Sequence, residues 1–231
     1  MSYKILFNGN ETISPEEISN CIEKFGDSYT KAVTKIIRST NSLDLNIDIF
    51  IKNSAILLNS FGMARSGPFQ GIKYDHGKVG GSKRKLKACW DAINRDLLFV
   101  RKLLDEQNLR PRSRALVQLE KDSRTEVVSY IWSAFKKLLP ITMGNYSYGL
   151  VGASKILFSV FPEIALPVDN SMWLNVFKTV DFGDVIHTMA DEIIAWEKIT
   201  GKQLQTCDYS ENTTLPAVYN VMAMEARPKS K

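Results

Sequence analysis

This chain has little with which to hold a metal ion or to run a histidine-based hydrolysis. It carries 2 histidines and 3 cysteines in 231 residues. His76 and His187 have no companions at metal-ligand spacing. Cys21, Cys89 and Cys207 are odd in number and far apart, so they suggest neither a disulfide framework nor a zinc pattern. Such usage fits a reducing cytoplasm. Two isolated histidines leave a serine or cysteine hydrolase without a clear general base. A metal-dependent nuclease needs clustered carboxylates. The pairs Asp105-Glu106 and Asp191-Glu192 are sequence neighbours, which point apart on a helix. No apolar run approaches the length of a membrane span. The start, Met1-Ser2-Tyr3-Lys4, lacks the apolar core and cleavage site of a signal peptide. The expectation is a cytoplasmic or nucleoid-associated protein with no membrane partner and no cofactor.

What the chain does have is an uneven charge. Residues 61–140 hold 17 Lys and Arg against 8 Asp and Glu, a net of +9, while the whole chain is only +5. Residues 1–60 are at −1 and residues 141–231 at −3. A basic middle third is the footprint of a polyanion-binding surface, because phosphate contacts release counterions and dominate affinity. DNA is the partner this points to.

Most of the chain reads as helix, and the expected class is all-α. Ser14-Pro15-Glu16-Glu17 is a helix start, with a capping serine, proline at the first helical position and acids in the first turn. Apolar residues recur at helical spacing through 27–40 and 44–61. Leu86, Trp90, Ile93, Leu97, Val100 and Leu104 step by four and three, marking the buried face of a long helix. A further long helix is expected over 113–139, broken near Asp122-Ser123 and ended by Pro140. Shorter helices follow at 151–161, 170–178, 184–200 and 214–225. Residues 3–7 have strand character without a partner run. Residues 62–82 hold six of the 13 glycines and no periodicity, the mark of a functional or disordered loop. The chain thus divides into an N-terminal helical part (1–62), a glycine-rich basic loop (63–82) and a main helical region (83–225). All three parts also fit a single domain.

The basic run Lys78-Val-Gly-Gly-Ser-Lys83-Arg84-Lys85-Leu-Lys87 joins that loop to a helix start. Lys78, Lys83, Arg84, Lys85 and Lys87 are its candidate DNA contacts.

The segment 149–177 carries the chemistry. Gly149 and Gly152 flank Leu150-Val151, so a tight turn with exposed amides can precede a helix and hold a phosphate. Lys155 lies one turn into that apolar helix. A desolvated lysine has a depressed pKa, and its free amine is a nucleophile. Leu166-Pro167-Val168 is extended, since a residue before proline avoids the α region. Asp169 then stands at the N-cap of the next helix. Read alone, Lys155 is a snorkelling surface charge and Asp169 a cap.

Leu166-Pro-Val-Asp169-Asn-Ser-Met172-Trp173 resembles the Pro-Val-Asp-x-x-Met-Trp signature of helix-hairpin-helix DNA glycosylases of the 8-oxoguanine type. Residues 149–177 carry this resemblance well, and it extends loosely to residue 225. It implies that Lys155 is the Schiff-base nucleophile at C1′ and that Asp169 stabilises the cationic sugar and moves protons. The turn departs from the family's Leu-Pro-Gly-Val-Gly-x-Lys: Ala153 replaces the second glycine, and there is no proline. The lysine-to-aspartate gap of 14 is shorter than the eukaryotic type's. Tyr146, Tyr148 and Trp173 are candidates for a base pocket, where a flipped base is read by stacking and hydrogen bonds. Phe158 and Phe161 read as core. The resemblance implies a glycosylase and abasic-site lyase acting on damaged bases. A non-catalytic DNA- or RNA-binding helical protein, or a nuclease of a defence system, stays open as an alternative.

Overall fold

Local chemistry sets the helix boundaries. The computed structural model describes residues 5–40, 45–144, 148–209 and 213–228, without the side chains of residues 27–30 and 39–40. Helix α1 (Pro15–Phe25) starts on a reciprocal capping box. Ser14 N–H donates to Glu17 Oε2 at 2.9 Å, and Glu17 N–H donates to Ser14 Oγ at 3.2 Å. Helix α2 (Asp27–Thr40) follows after Gly26, and α3 (Ile47–Ser60) is capped by Asn46 Oδ1, which accepts from Asp48 N–H and Ile49 N–H.

Helix α4 (Arg84–Glu106) is 23 residues long, about 35 Å at 1.5 Å per residue. It buries Leu86, Cys89, Ile93, Leu97, Val100 and Leu104. Trp90, expected in that stripe, is only partly buried and faces Phe50 at 5.4 Å. Helix α5 (Ala115–Gln118) is a single turn, and α6 (Lys121–Thr142) begins after Leu119-Glu120. The break expected near Asp122-Ser123 thus falls a few residues earlier. Pro140 does not end α6. It forfeits one i→i−4 bond, yet the helix runs on to Thr142 and Met143 N–H still donates to Leu139 O at 3.0 Å.

Helix α7 (Leu150–Val160) packs against both α6 and α3, and Gly152 through Val160 are all buried. That two-sided burial explains a helix apolar nearly all round. Helix α8 (Asn170–Met172) widens into a π-helical turn over Trp173–Phe177. Helix α9 (Phe182–Thr200) packs on α6, and α10 (Leu215–Glu225) packs on α1. Buried apolar side chains from Ile5 to Ala223 form one contiguous core.

Two short hairpins interrupt the helices. Strands β1 (Phe7–Asn8) and β2 (Glu11–Thr12) pair antiparallel; of the strand expected over 3–7 only Phe7 is extended in it, Ile5 and Leu6 being buried but not strand, and residues 3 and 4 lie outside the described residues. Strands β3 (Lys73–Asp75) and β4 (Lys78–Gly80) pair with Tyr74 opposite Val79. His76 and Gly77 both have positive φ, the geometry of a two-residue hairpin turn. The glycine-rich stretch is therefore ordered, and Phe69 and Ile72 anchor it in the core at 1% exposure each. Among the described residues no helix is long and apolar enough to cross a membrane.

Candidate active site

Helix α7 carries Lys155 into the interior. The residue is 3% exposed. Its Nζ donates to Asp169 Oδ1 at 2.5 Å and lies 4.0 Å from the centroid of the Phe61 ring. Asp169 retains 25% side-chain exposure, so it is the solvent-facing partner of the pair. Burial pushes the Lys155 ammonium below the ordinary lysine value, and the Asp169 charge and hydrogen bond oppose that shift. A surface lysine is thus ruled out for position 155.

Ser154 sets this meeting. Its Oγ accepts from Val168 N–H at 3.1 Å and lies 3.2 Å from Val168 O. The extended Pro167-Val168-Asp169 run is thereby laid along α7, and the pairs 154/168 and 155/169 share the separation of 14. Asp169 has the extended backbone of an N-cap, with φ −82° and ψ 160°, and its N–H meets Met172 Sδ at 3.4 Å. The preceding connection, residues 161–168, is entirely buried. Arg112 Nε donates to Glu163 Oε1 there at 2.9 Å, and Thr214 Oγ1 donates to Pro162 O at 2.6 Å.

The turn into α7 is shaped by two glycines. Gly149 takes φ +80°, and a Cβ there would lie 2.5 Å from Leu139 O. A Cβ on Gly152 would lie 2.8 Å from Thr142 Cβ and 3.2 Å from the Phe69 ring. Thr142 Oγ1 is within hydrogen-bonding distance of Leu138 O (3.0 Å) and Gly149 O (2.8 Å). Both glycines are buried, and close packing of α6 on α7 accounts for each.

Beside this turn opens a cleft of about 790 Å³, lined by residues of 61–70, the end of α6, the start of α7 and Lys85. Phe61 lines the cleft and also covers the Lys155 ammonium. The other expected basic contacts, Lys78, Lys83, Arg84 and Lys87, are exposed on β4 and the first turn of α4. Lys87 lies 3.8 Å from Asp91, whereas Lys78, Lys83, Arg84 and Lys85 pair with no acid among the described residues.

The aromatic expectations fare differently. Trp173 does not face the cleft. It is 1% exposed, its ring centroid lying 5.7 Å from Phe135 and 6.0 Å from Phe182. The apolar side of the widened turn drives it into the core. Tyr148 is 82% exposed, and Tyr146 lies outside the described residues. Phe158 and Phe161 are fully buried, as their helical spacing indicates. Sequence reasoning missed Ser154, Phe61 and Thr142. Serine on an otherwise apolar helix, and Phe immediately before a helix-closing glycine, were the available signals.

Among the described residues, no group of three or more His, Cys, Asp or Glu gathers as a metal site. No protein-family model, curated protein or solved structure matches this chain. Its function must therefore be argued from Lys155, Asp169 and the adjoining cleft.

Proposed function

We propose that this chain is a DNA base-excision glycosylase with abasic-site lyase activity, using Lys155 as nucleophile and Asp169 as its carboxylate partner. The observation that carries the reading is the pair itself: a lysine 3% exposed, its Nζ 2.5 Å from Asp169 Oδ1. Burial favours the neutral amine, and the carboxylate is positioned to take the proton the amine must lose. The Nζ lone pair then attacks C1′ of the damaged nucleoside. The C1′–N bond breaks with its electron pair on the base, which takes up a proton. A proton passes from Nζ to O4′ as the C1′–O4′ bond breaks with its electron pair on O4′, which leaves the ring-opened, protonated imine. Removal of a C2′ proton then expels the 3′-phosphate. Asp169, with a quarter of its side chain exposed, is the group to offset positive charge on the sugar and to return protons. The resemblance at 166–173 favours an oxidised purine as the base removed. The free cations Lys78, Lys83, Arg84 and Lys85 supply an electrostatic seat for the DNA backbone.

The test is strand cleavage of a duplex bearing 8-oxoguanine or an abasic site. Wild type cleaves both. Lys155→Gln cleaves neither, and Asp169→Asn loses at least about 100-fold in rate, the scale of general acid–base catalysis. A wild-type protein that cleaves no damaged duplex overturns the reading.

One observation favours a second reading, that of a non-catalytic nucleic-acid-binding module. The Lys155 ammonium is ion-paired and covered by the Phe61 ring. In that case the pair only holds α7 to the Pro-Val-Asp run, and the basic surface binds DNA without chemistry.

A further inference from the structure

The cleft beside Lys155 has a composition that selects its occupant. At about 790 Å³ it falls within the range of small-molecule sites, about 300–1,000 Å³. Its apolar lining is Phe61, Met63, Pro68, Met143 and Val151, with an aromatic ring and two thioethers among them. Flat, polarisable rings are the ligands such side chains hold best, since thioethers pack against ring edges and aromatic faces stack. The polar lining is as selective. Beside the hydroxyls of Ser66 and Thr142, Gln70 presents an amide, an adjacent donor and acceptor, and Lys85 presents a cation. Among the described residues no carboxylate lines the cleft. Neither the Gln70 amide nor the Lys85 ammonium has a side-chain partner among the described residues.

We infer that this cleft binds one nucleotide: the base against Phe61 between Met63 and Met143, its hydrogen-bonding edge read by Gln70, and its phosphate on Lys85. This deepens the glycosylase reading and rests on it for the choice of a nucleotide. An amide pairs with a base edge that offers a neighbouring donor and acceptor, as adenine does with N6 and N7. Gln70 is thus the specificity-determining residue. Phe61 has two faces of use here, because the ring that stacks a base is also the ring over Nζ.

Methionine methyl groups give a direct readout. The chain has 7 methionines, and among the described residues Met63 and Met143 are the ones that line the cleft. Protein labelled with ¹³C at the methionine methyls is titrated with each of the four deoxynucleoside 5′-monophosphates, with the matching nucleosides and with ribose 5-phosphate. The expected result is saturable shifts at Met63 and Met143 with at least one nucleotide, at a Kd of about 1 mM or tighter. Met189 and Met222, which are buried elsewhere, stay in place. Lys85→Ala weakens nucleotide binding about fivefold and leaves nucleoside binding alone. Gln70→Ala levels the affinities of the four bases. Absence of saturable shifts at both methionines with every nucleotide overturns the inference, and so does an equal response to ribose 5-phosphate. Setting the titration beside the strand-cleavage assay on the wild type separates the two readings. Nucleotide shifts without strand cleavage by the wild type leave the cleft assignment standing and remove the glycosylase. Strand cleavage without shifts does the reverse.

Discussion

Ser154 Oγ accepts the Val168 N–H at 3.1 Å, and the next residue on each segment, Lys155 and Asp169, meets at 2.5 Å. One buried hydroxyl thus decides whether the lysine and the aspartate face each other. Ser154→Ala leaves the Val168 N–H without its partner in a fully buried setting, which costs about 1–3 kcal/mol. The expected outcome is a lower denaturation midpoint by chemical unfolding together with slower strand cleavage. A variant of wild-type stability and rate would show that the run is placed by Pro167 and Val168 packing alone.

The turn entering α7 predicts a second stability result. A methyl group at Gly149 meets a main-chain oxygen and a left-handed backbone, whereas one at Gly152 meets the Thr142 side chain. Both Gly149→Ala and Gly152→Ala should destabilise by about 1–3 kcal/mol, with Gly149→Ala the worse because its obstacle is backbone. Urea unfolding ranks them, and a Gly149→Ala protein as stable as wild type contradicts the packing described.

Burial also fixes a pH dependence. The ordinary lysine value is 10.5, and Lys155 is held below it, desolvation outweighing Asp169. Between the folded and unfolded values the unfolded chain binds more protons, so folded stability rises with pH across that window. Lys155→Met lacks this titration. Wild type should therefore gain stability relative to Lys155→Met as pH approaches 10.5 from below, and lose it as pH falls towards the depressed value. Guanidinium unfolding at a series of pH values measures the difference. A difference that stays constant, or grows as pH falls, would mean that the ion pair dominates over desolvation.

Much of this arrangement was legible in the residues. The Ser14 cap, the α4 stripe and the all-α class follow from spacing and end signals that are local. The gap of 14 between Lys155 and Asp169 already brings the two together if the intervening Pro-Val run is extended. Other parts depend on contacts between distant segments. Phe61 covers Nζ because α3 packs on α7, and nothing near residue 61 announces residue 155. Trp173 turns inward because Phe135 and Phe182, from two other helices, wait for it. Pro140 is tolerated inside α6 even though it cannot donate its own i→i−4 bond. The β3–β4 hairpin hid among glycines whose turn chemistry is plain only once Asp75-His76-Gly77 is read as a two-residue turn.

The exposed cations at the β4–α4 junction predict the salt response of DNA binding. Neutralising Lys83, Arg84 and Lys87 together should weaken binding to duplex DNA and lower the slope of log K against log salt. The slope should fall by about one unit for each phosphate that the variant no longer neutralises. Anisotropy titrations between low and moderate salt measure it. An unchanged slope places the DNA on another face.

The central claim is that Lys155 is the nucleophile, and trapping the imine tests it most directly. A duplex with an abasic site is incubated with the protein, sodium borohydride is added, and the cross-linked peptide is mapped by mass spectrometry. The predicted result is a covalent adduct on Lys155, absent in Lys155→Gln and reduced in Asp169→Asn. An adduct on another lysine, or none from a folded wild-type protein that binds the duplex, contradicts the account.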